Sequence, residues 1–382
     1  MYHDLTKGSI SRSLLLFALP MMAGNLLQQF YNIADTLIVG RVLGKNALAA
    51  VGSSYTLMTF LTSIFLGLSM GSGALFSIYR GKGDERALKS SIAHACGLIL
   101  AVTLVLNAVV YIFIDPILSF LRVPEEVWGG MREYLLIIFA GLLATSLYNF
   151  FSCLLRALGN STVPLVFLAV SAILNIAWDL LFVAVFHWGI AGAAWATLIA
   201  QAISALLSFL VLYRKLSRIQ CGLYRRFDGE MLANMTRVAI PTIIQQSMVS
   251  IGMLLIQAAV NRFGSVFIAG YTAACKIDGM AIVPMVNAGN AVSTFVAQNM
   301  GAGKPERAKK GYHIGLIMAV SIGLVIGIFL FFFGDVCVGA FMNAATDGES
   351  IALGAQYIAV VSMFYFVMGA IRLLQYFEVP EI

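Results

Sequence analysis

The chain is short of charge. Only 11% of its 382 residues are Asp, Glu, Lys or Arg, less than half the roughly 25% of soluble domains, and too few to coat a body of this size. That shortage excludes a soluble enzyme. Mean hydropathy of +0.90 excludes a disordered chain as well. Cysteine is scarce: Cys96, Cys153, Cys221, Cys275 and Cys337 lie far apart, with neither metal spacing nor a disulfide framework, so they are expected to pack as small hydrophobes. No cleavable signal is visible either: the first apolar stretch is too long and carries Asn25, Gln28, Gln29 and Asp35, so it is expected to be a retained span. What is abundant is apolar: 60% hydrophobic residues, with 26 Phe, 17 Met and 35 Gly, a mix suited to helices packed in lipid. The net charge of +6 gathers into no basic patch with interleaved aromatics, which sets nucleic acid aside as a partner.

A helix needs about 20 mostly apolar residues to cross the hydrocarbon core. Ten stretches qualify, near 12–39, 48–79, 90–114, 133–156, 162–186, 190–213, 234–260, 266–299, 312–333 and 352–375. The loops between them alternate in charge. One set carries eighteen basic residues, among them Lys7, Arg12, Arg80, Lys82, Arg86, Lys89, Arg214, Lys304 and Arg307, and the other only Arg41, Lys45, Arg122, Arg132 and Arg262. By the positive-inside rule the first set is cytoplasmic. The expectation is a multi-pass protein of the cell (inner) membrane with a cytoplasmic N-terminus.

The sequence also repeats. Ala18-Leu19-Pro20 returns as Ala239-Ile240-Pro241, 221 residues later, and Gly81-Lys82-Gly83-Asp84-Glu85-Arg86-Ala87 returns as Gly301-Ala302-Gly303-Lys304-Pro305-Glu306-Arg307-Ala308 at nearly the same offset. Six spans separate the copies, so both share one orientation, the parallel kind of repeat found in transporters. The matched prolines free a carbonyl at the same place in each copy and make Pro20 and Pro241 candidate hinges. The fold expected is an all-α integral membrane protein of two parallel-repeat lobes: 1–213 with six spans, a linker at 214–233, and 234–382 with four. The symmetry would call for two further spans after these, and the ending Gln375–Ile382 does not resemble the matching Leu158–Pro164, as a truncated or frameshifted chain would leave it. A genuine ten-span protein is the alternative. Since the repeat satisfies the symmetry within one chain, a monomer is expected.

Four charged residues lie well inside predicted spans: Asp35, Asp179, Lys276 and Asp278. Each costs on the order of 2.5–3.5 kcal/mol to insert and is a functional candidate by default. Counting about 1.5 Å per helical residue puts Asp35, Asp179 and Thr197 roughly 8–12 Å below the outer boundary. Asn175 shares the face of Asp179 one turn deeper. Two carboxylates, an amide and a hydroxyl at matching depth suit a hard monovalent cation, or a proton shared between like charges. The plainer reading is that each Asp ties its helix to a neighbour. Lys276 and Asp278, two apart, point to different faces unless the helix unwinds near Gly279 or Pro284. Gln245, Gln246 and Gln257 fit hydrogen bonds between helices, or the wall of a polar cavity. Gly67-Leu68-Ser69-Met70-Gly71 matches a nucleophile elbow but lies inside an apolar helix, where small residues for helix packing explain it better.

At these residues the chain resembles the multidrug and toxic compound extrusion (MATE) transporters, nearest their DinF-like branch. The resemblance is carried by Ala18-Leu19-Pro20, Ala34-Asp35-Thr36 with Gly40 and Gly44, Arg156-Ala157-Leu158-Gly159-Asn160, Asn175-Ile176-Ala177-Trp178-Asp179, Gly189–Ala194 followed by Ala196-Thr197, and Gln298–Gly303. It implies a non-enzymatic antiporter that exports organic cations and drugs against entering Na+ or H+, without another cofactor. It further implies a coupling-cation site at Asp35, Asn175, Asp179 and Thr197, with Asn149 beside it in the cavity; Gln245, Lys276 and Asp278 are the remaining cavity candidates. A lipid-linked oligosaccharide flippase of the same superfamily is the rival, but it would need Lys or Arg around a pyrophosphate. A membrane-embedded enzyme would need a metal-binding acidic cluster, paired His at depth, or a Ser/His pair, and none is visible.

Overall fold

The computed structural model describes residues 4–121, 123, 125–217, 228–260, 263, 265–340 and 348–375. Cys221, Arg122, Arg262, residues 218–227 of the expected linker and the ending from 376 lie outside the described residues, as do the side chains of Gln257 and Arg372. Among the described residues the fold is all helix. The order is α1 (Ile10–Leu43), α2 (Lys45–Lys82), α3 (Glu85–Phe120), α4 (Glu125–Ala140), α5 (Leu142–Ala157), α6 (Thr162–Asp179), a π-helical segment (Leu180–Val185) and α7 (Gly189–Leu216). Then follow α8 (Gly229–Val260), α9 (Ser265–Gly301), α10 (Pro305–Gly339), α11 (Gly348–Ser362) and α12 (Tyr365–Gln375).

Among the described residues seven helices are long and apolar enough to cross a bilayer, and up to nine spans result when each of two bent pairs counts as one. α8 is a further long helix: its 32 residues extend about 48 Å, more than the ~30 Å core. Two expected single spans are broken. α4 and α5 meet at 50° across Gly141, and α11 and α12 at 51°. In the first pair α3 supplies donors beside the break: Asn107 Nδ2 donates to Phe139 O, whose own helical donor the break removes, at 2.8 Å, and Tyr111 Oη adds a bond to Leu136 O at 2.7 Å. Backbone acceptors left unmet in hydrocarbon would cost several kcal/mol each. The two breaks, Gly141 and Met363, stand 222 residues apart, so the repeat seen in the letters recurs in the bends. α1 and α8 run unbroken through Pro20 and Pro241, whereas Pro116 leaves α3 kinked at Phe113, φ −109° and ψ 17°.

By packing, the helices sort into two compact units. The first is built on Leu27–Ser250 and the second on His3–Leu26 with Ile251–Ile382. α1 and α8 therefore each pass from one unit to the other part-way along, in opposite senses. The first unit's core joins Phe76, Phe150 and Leu154 to Met235 and Ala239 of α8. Here Gly67 and Gly71 meet the backbone of α8: a Cβ on them would stand 2.6 Å from Ile243 Cα and 2.8 Å from Ala239 Cα. The nucleophile-elbow lookalike is thus a close helix crossing, which only glycine permits.

In the second unit Leu5, Leu14 and Phe17 pack with Val292 and Phe295 of α9. A strap of backbone holds the start of the chain there. Asn299 Nδ2 donates to Leu5 O at 3.2 Å, Lys304 Nζ to Thr6 O at 2.9 Å and Arg307 Nη2 to Lys7 O at 2.9 Å. Within the strap Thr6 donates to the Asp4 carboxylate, which with nearby Lys7 holds that carboxyl below its usual range. α10 presents glycines inward at 311, 315, 323, 327 and 334. At Gly323 and Gly327 a Cβ would lie 2.5 Å from the carbonyls of Tyr365 and Ser362, so the α11–α12 bend seats directly on the α10 backbone.

Candidate functional site

The first unit gathers three helices around one polar spot. Asp179 closes α6 and is fully buried, and Asn175, one turn before it, is buried too. Asn175 Nδ2 donates to Thr197 Oγ1 of α7 at 3.2 Å. The carboxyl of Asp35, on α1, comes within hydrogen-bonding reach of the Asp179 carboxyl. Two ionised carboxylates offer only acceptors, so such a contact needs a proton or a cation between them. No donor is seated on these oxygens: Asp35 Oδ1, both Asp179 oxygens and Asn175 Oδ1 are buried without a hydrogen-bond partner among the described residues. Most buried polar atoms are satisfied. Four unmet oxygens on two neighbouring helices form a site poised for a positive charge.

The local sequence makes this spot. Asn175 and Asp179 share a face because they are four apart on α6. Immediately after Asp179 the winding widens into the π-segment, with Phe186 N–H donating back to Leu181 O at 2.8 Å. Such segments mark functional places in helices. The sequence reading had a continuous α-helix over 162–186; since the π-segment advances less per residue, the α-helical depth count overstates how far Asp179 sits from the outer end. His187, at φ 53°, and Gly189, at φ 63°, turn the chain into α7. Aromatic rings close over the turn, with Trp178 stacked on Phe182 at 5.2 Å and Phe182 on Trp188 at 4.8 Å. Gly192 admits this packing, as a Cβ there would lie 3.2 Å from the Phe182 backbone.

Two residues absent from the sequence reading adjoin the carboxyls. Tyr134 of α4 is buried and close enough to both Asp35 and Asp179 to feel their charge, and Tyr31 lies one turn before Asp35 on α1. The depth count could have found Tyr134, which lies nine residues into α4, had it been applied to hydroxyls as well as charges.

The other candidates are dispersed. Asn149 donates to the Thr145 carbonyl within α5 at 2.9 Å, and Thr145 in turn donates to Gln201 of α7. Gln245 is half-buried on α8 in the first unit. In the second unit Lys276 is exposed, while Asp278 accepts from Tyr365 Oη at 2.6 Å. α9 continues unbroken past both, and no ion pair joins them among the described residues. The described residues hold no cluster of three or more His, Cys, Asp or Glu able to bind a metal.

A protein-family model described as MatE matches residues 20–181 and again 241–377, two matches that begin on Pro20 and Pro241. "Probable multidrug resistance protein YpnP" of Bacillus subtilis (strain 168) is 32% identical over 368 residues, spanning 96% of this chain and 82% of that protein. "Probable multidrug resistance protein YoeA" of the same organism is 28% identical over 377 residues, 97% of this chain and 81% of its own. Among solved structures, a mutant of the Vibrio cholerae MATE transporter VcmN superposes with a TM-score of 0.87 at 20% identity, over 96% of this chain and 83% of that one, a likeness of fold.

Proposed function

The chain belongs to the MatE family, and we propose that its export of organic cations and drugs is driven by a cation, Na+ or H+, entering at Asp35, Asn175, Asp179 and Thr197. It is a multidrug efflux transporter that works by alternating access, not an enzyme, and acts on small molecules in a bilayer. The observation that carries the coupling site is the set of four buried oxygens without donors around the Asp35–Asp179 contact. Oxygen ligands suit Na+, and a close carboxyl pair suits a shared proton.

The repeat supports two lobes, 1–213 and 234–382, joined at 214–233, and the loop charges support a cytoplasmic N-terminus in the cell membrane. In this reading Asp35, Asp179 and Asn175 hold the arriving charge, and Thr197 orients the Asn175 amide. Neutralising the two carboxylates removes the need for a counter-charge and lets α1 bend at Pro20, with Pro241 its counterpart in α8. α1 changes packing partners at Leu26–Leu27, about two turns beyond Pro20, so a bend there would move the Asp35 half independently of the strapped start. Asn149 and Gln245 then contribute to drug binding within the first unit, and Lys276 and Asp278 are the candidates within the second.

Ethidium efflux from cells producing the wild-type chain or Asp35→Asn, with and without Na+, tests the proposal. Loss of efflux in the variant at unchanged membrane levels is expected. Loss on Na+ removal assigns Na+, and persistence assigns H+. Wild-type efflux by Asp35→Asn would remove the coupling role from this site.

A further inference from the structure

Between Pro20 and its change of packing partners at Leu26–Leu27, α1 lies against α9 within the second unit. Met21 is buried there with Ala288 and Val292. One turn further, Asn25 Nδ2 donates to Asn287 Oδ1 at 3.2 Å. Asn287 is fully buried, and its own Nδ2 donates to Val283 O at 2.8 Å. That second bond fixes which way the amide faces. Its oxygen is turned to α1 and can only accept, so Asn25 is the donor.

Proline has no N–H to give the carbonyl four residues back, so α1 lacks one backbone bond at the turn from Leu16 to Pro20. The helix runs unbroken through that turn all the same. A bend at Pro20 has to lift Met21–Leu26 from α9, and the Asn25–Asn287 bond goes with them. The apolar contacts can be replaced by lipid, whose tails are as apolar as leucine. The amide bond cannot: once Asn25 leaves, Asn287 Oδ1 is stranded in a fully buried place. The repeat sharpens the contrast. At the 221-residue offset the counterparts are Gln246 on α8 and Leu66 on α2, with Gly67 beside it. Neither Leu nor Gly has a side-chain acceptor. The scaffold thus packs without such a pair in one copy, and the second unit carries it in addition.

We propose that Asn25 and Asn287 form a clasp that holds α1 straight past Pro20 and so sets how much coupling cation is needed to bend it. The two are positioning residues that act through the helix, and the proposal rests on the reading that α1 bends at Pro20. The clasp makes the bent state rarer by about 3–30-fold, the worth of one hydrogen bond between membrane helices. That is strong enough to keep the ion-free helix straight and weak enough for a bound cation to open.

Double electron–electron resonance on the purified chain in lipid nanodiscs reads the bend directly. Spin labels at Ser11 and Phe30, both exposed on α1, go into a background whose cysteines are replaced by alanine. A straight helix holds the two positions about 28 Å apart, and a bent one brings them closer. Adding sodium chloride or lowering the pH should bring a shorter population into wild type. Asn25→Leu should raise the ratio of short to long about 3–30-fold and lower the cation midpoint of the shift by a similar factor, which a mere loss of stability would not do. Asn25→Gln keeps a donor and should behave as wild type. The double variant Asn25→Leu/Asn287→Leu should shift no further than Asn25→Leu, since both changes remove one bond. A cation-driven bend in wild type that Asn25→Leu leaves unmoved would overturn the clasp alone, as would shifts that add in the double variant. A wild type with no shorter population in either condition would overturn the bend and the clasp together.

Discussion

Replacing Asp179 by Asn should make the protein more stable while abolishing coupled efflux. The substitution keeps the side chain's shape but exchanges a buried carboxylate with two unmet oxygens for an amide carrying two donors. One of those donors can reach the Asp35 carboxyl, whose Oδ1 has no hydrogen-bond partner among the described residues. A hydrogen bond to a charged acceptor contributes about 1.5–3 kcal/mol. Two like charges about 4 Å apart repel by about 4 kcal/mol at an effective dielectric near 20; a shared proton already relieves part of this, so the repulsion is an upper bound. A net gain of about 1–3 kcal/mol follows, and a thermal midpoint several degrees higher, at about 2–4 °C per kcal/mol. The assay is thermal unfolding in detergent followed by tryptophan fluorescence, with Trp178 next to the mutated residue. Added coupling ion should raise the wild-type midpoint through binding to the folded state and leave the variant unmoved, so that the gap closes at saturation. A variant that melts below wild type, or still responds to the ion, would refute the idea that these oxygens are strained by the lack of a positive partner. Sites tuned for function commonly trade stability this way.

Thr197→Val, nearly isosteric, strands the Asn175 amide donor and should weaken the apparent affinity for a coupling Na+ by about 5–150-fold, from the 1–3 kcal/mol of an unmet buried group; an unchanged Na+ midpoint in the efflux assay would remove Thr197 from the site. Gly71→Val should lose more than 3 kcal/mol, since even a Cβ would stand 2.8 Å from Ala239 Cα; wild-type melting in that variant would contradict the close crossing. Tyr365→Phe leaves Asp278 without its 2.6 Å donor and should lower the melting midpoint by the equivalent of about 1–3 kcal/mol, whereas Asp278→Asn, which keeps an acceptor for the hydroxyl, should cost less.

The parts of the fold legible in the sequence were those written in composition and offset. Long apolar stretches located the helices, because hydrocarbon imposes a length on them. The 221-residue offset foretold paired features, and the equal bends of α4–α5 and α11–α12 are such a pair. The bends themselves were not visible: Gly141 resembles the many other glycines here, and the donors beside its break, Asn107 and Tyr111, come from another helix. The depth count drew Asp35, Asn175, Asp179 and Thr197 together because charge inside a membrane is conspicuous. It passed over Tyr134, whose ring is unremarkable in an apolar span, and the π-segment, which no residue type announces. Asp278 was legible as costly but its partner was not, since Tyr365 is 87 residues away on a helix whose start is set by a break.

The exchange of α1 and α8 between the two units has a bearing on how the gene can be cut. The first unit needs 229–250, made after its other helices, and the second needs the opening stretch up to Leu26, the earliest part of the chain to leave the ribosome. The second therefore cannot close its core from one uninterrupted run of sequence, and the first can do so only from a run that crosses the stretch after α7. Separating the halves at the stretch after α7 would give two polypeptides, each missing a helix end that the other carries. They could mature only by trading those ends, as domain-swapped partners do, so co-expression rather than mixing of finished halves would be the way to restore activity. During synthesis the start of α1 must wait, unpartnered, until α9 and α10 have been inserted.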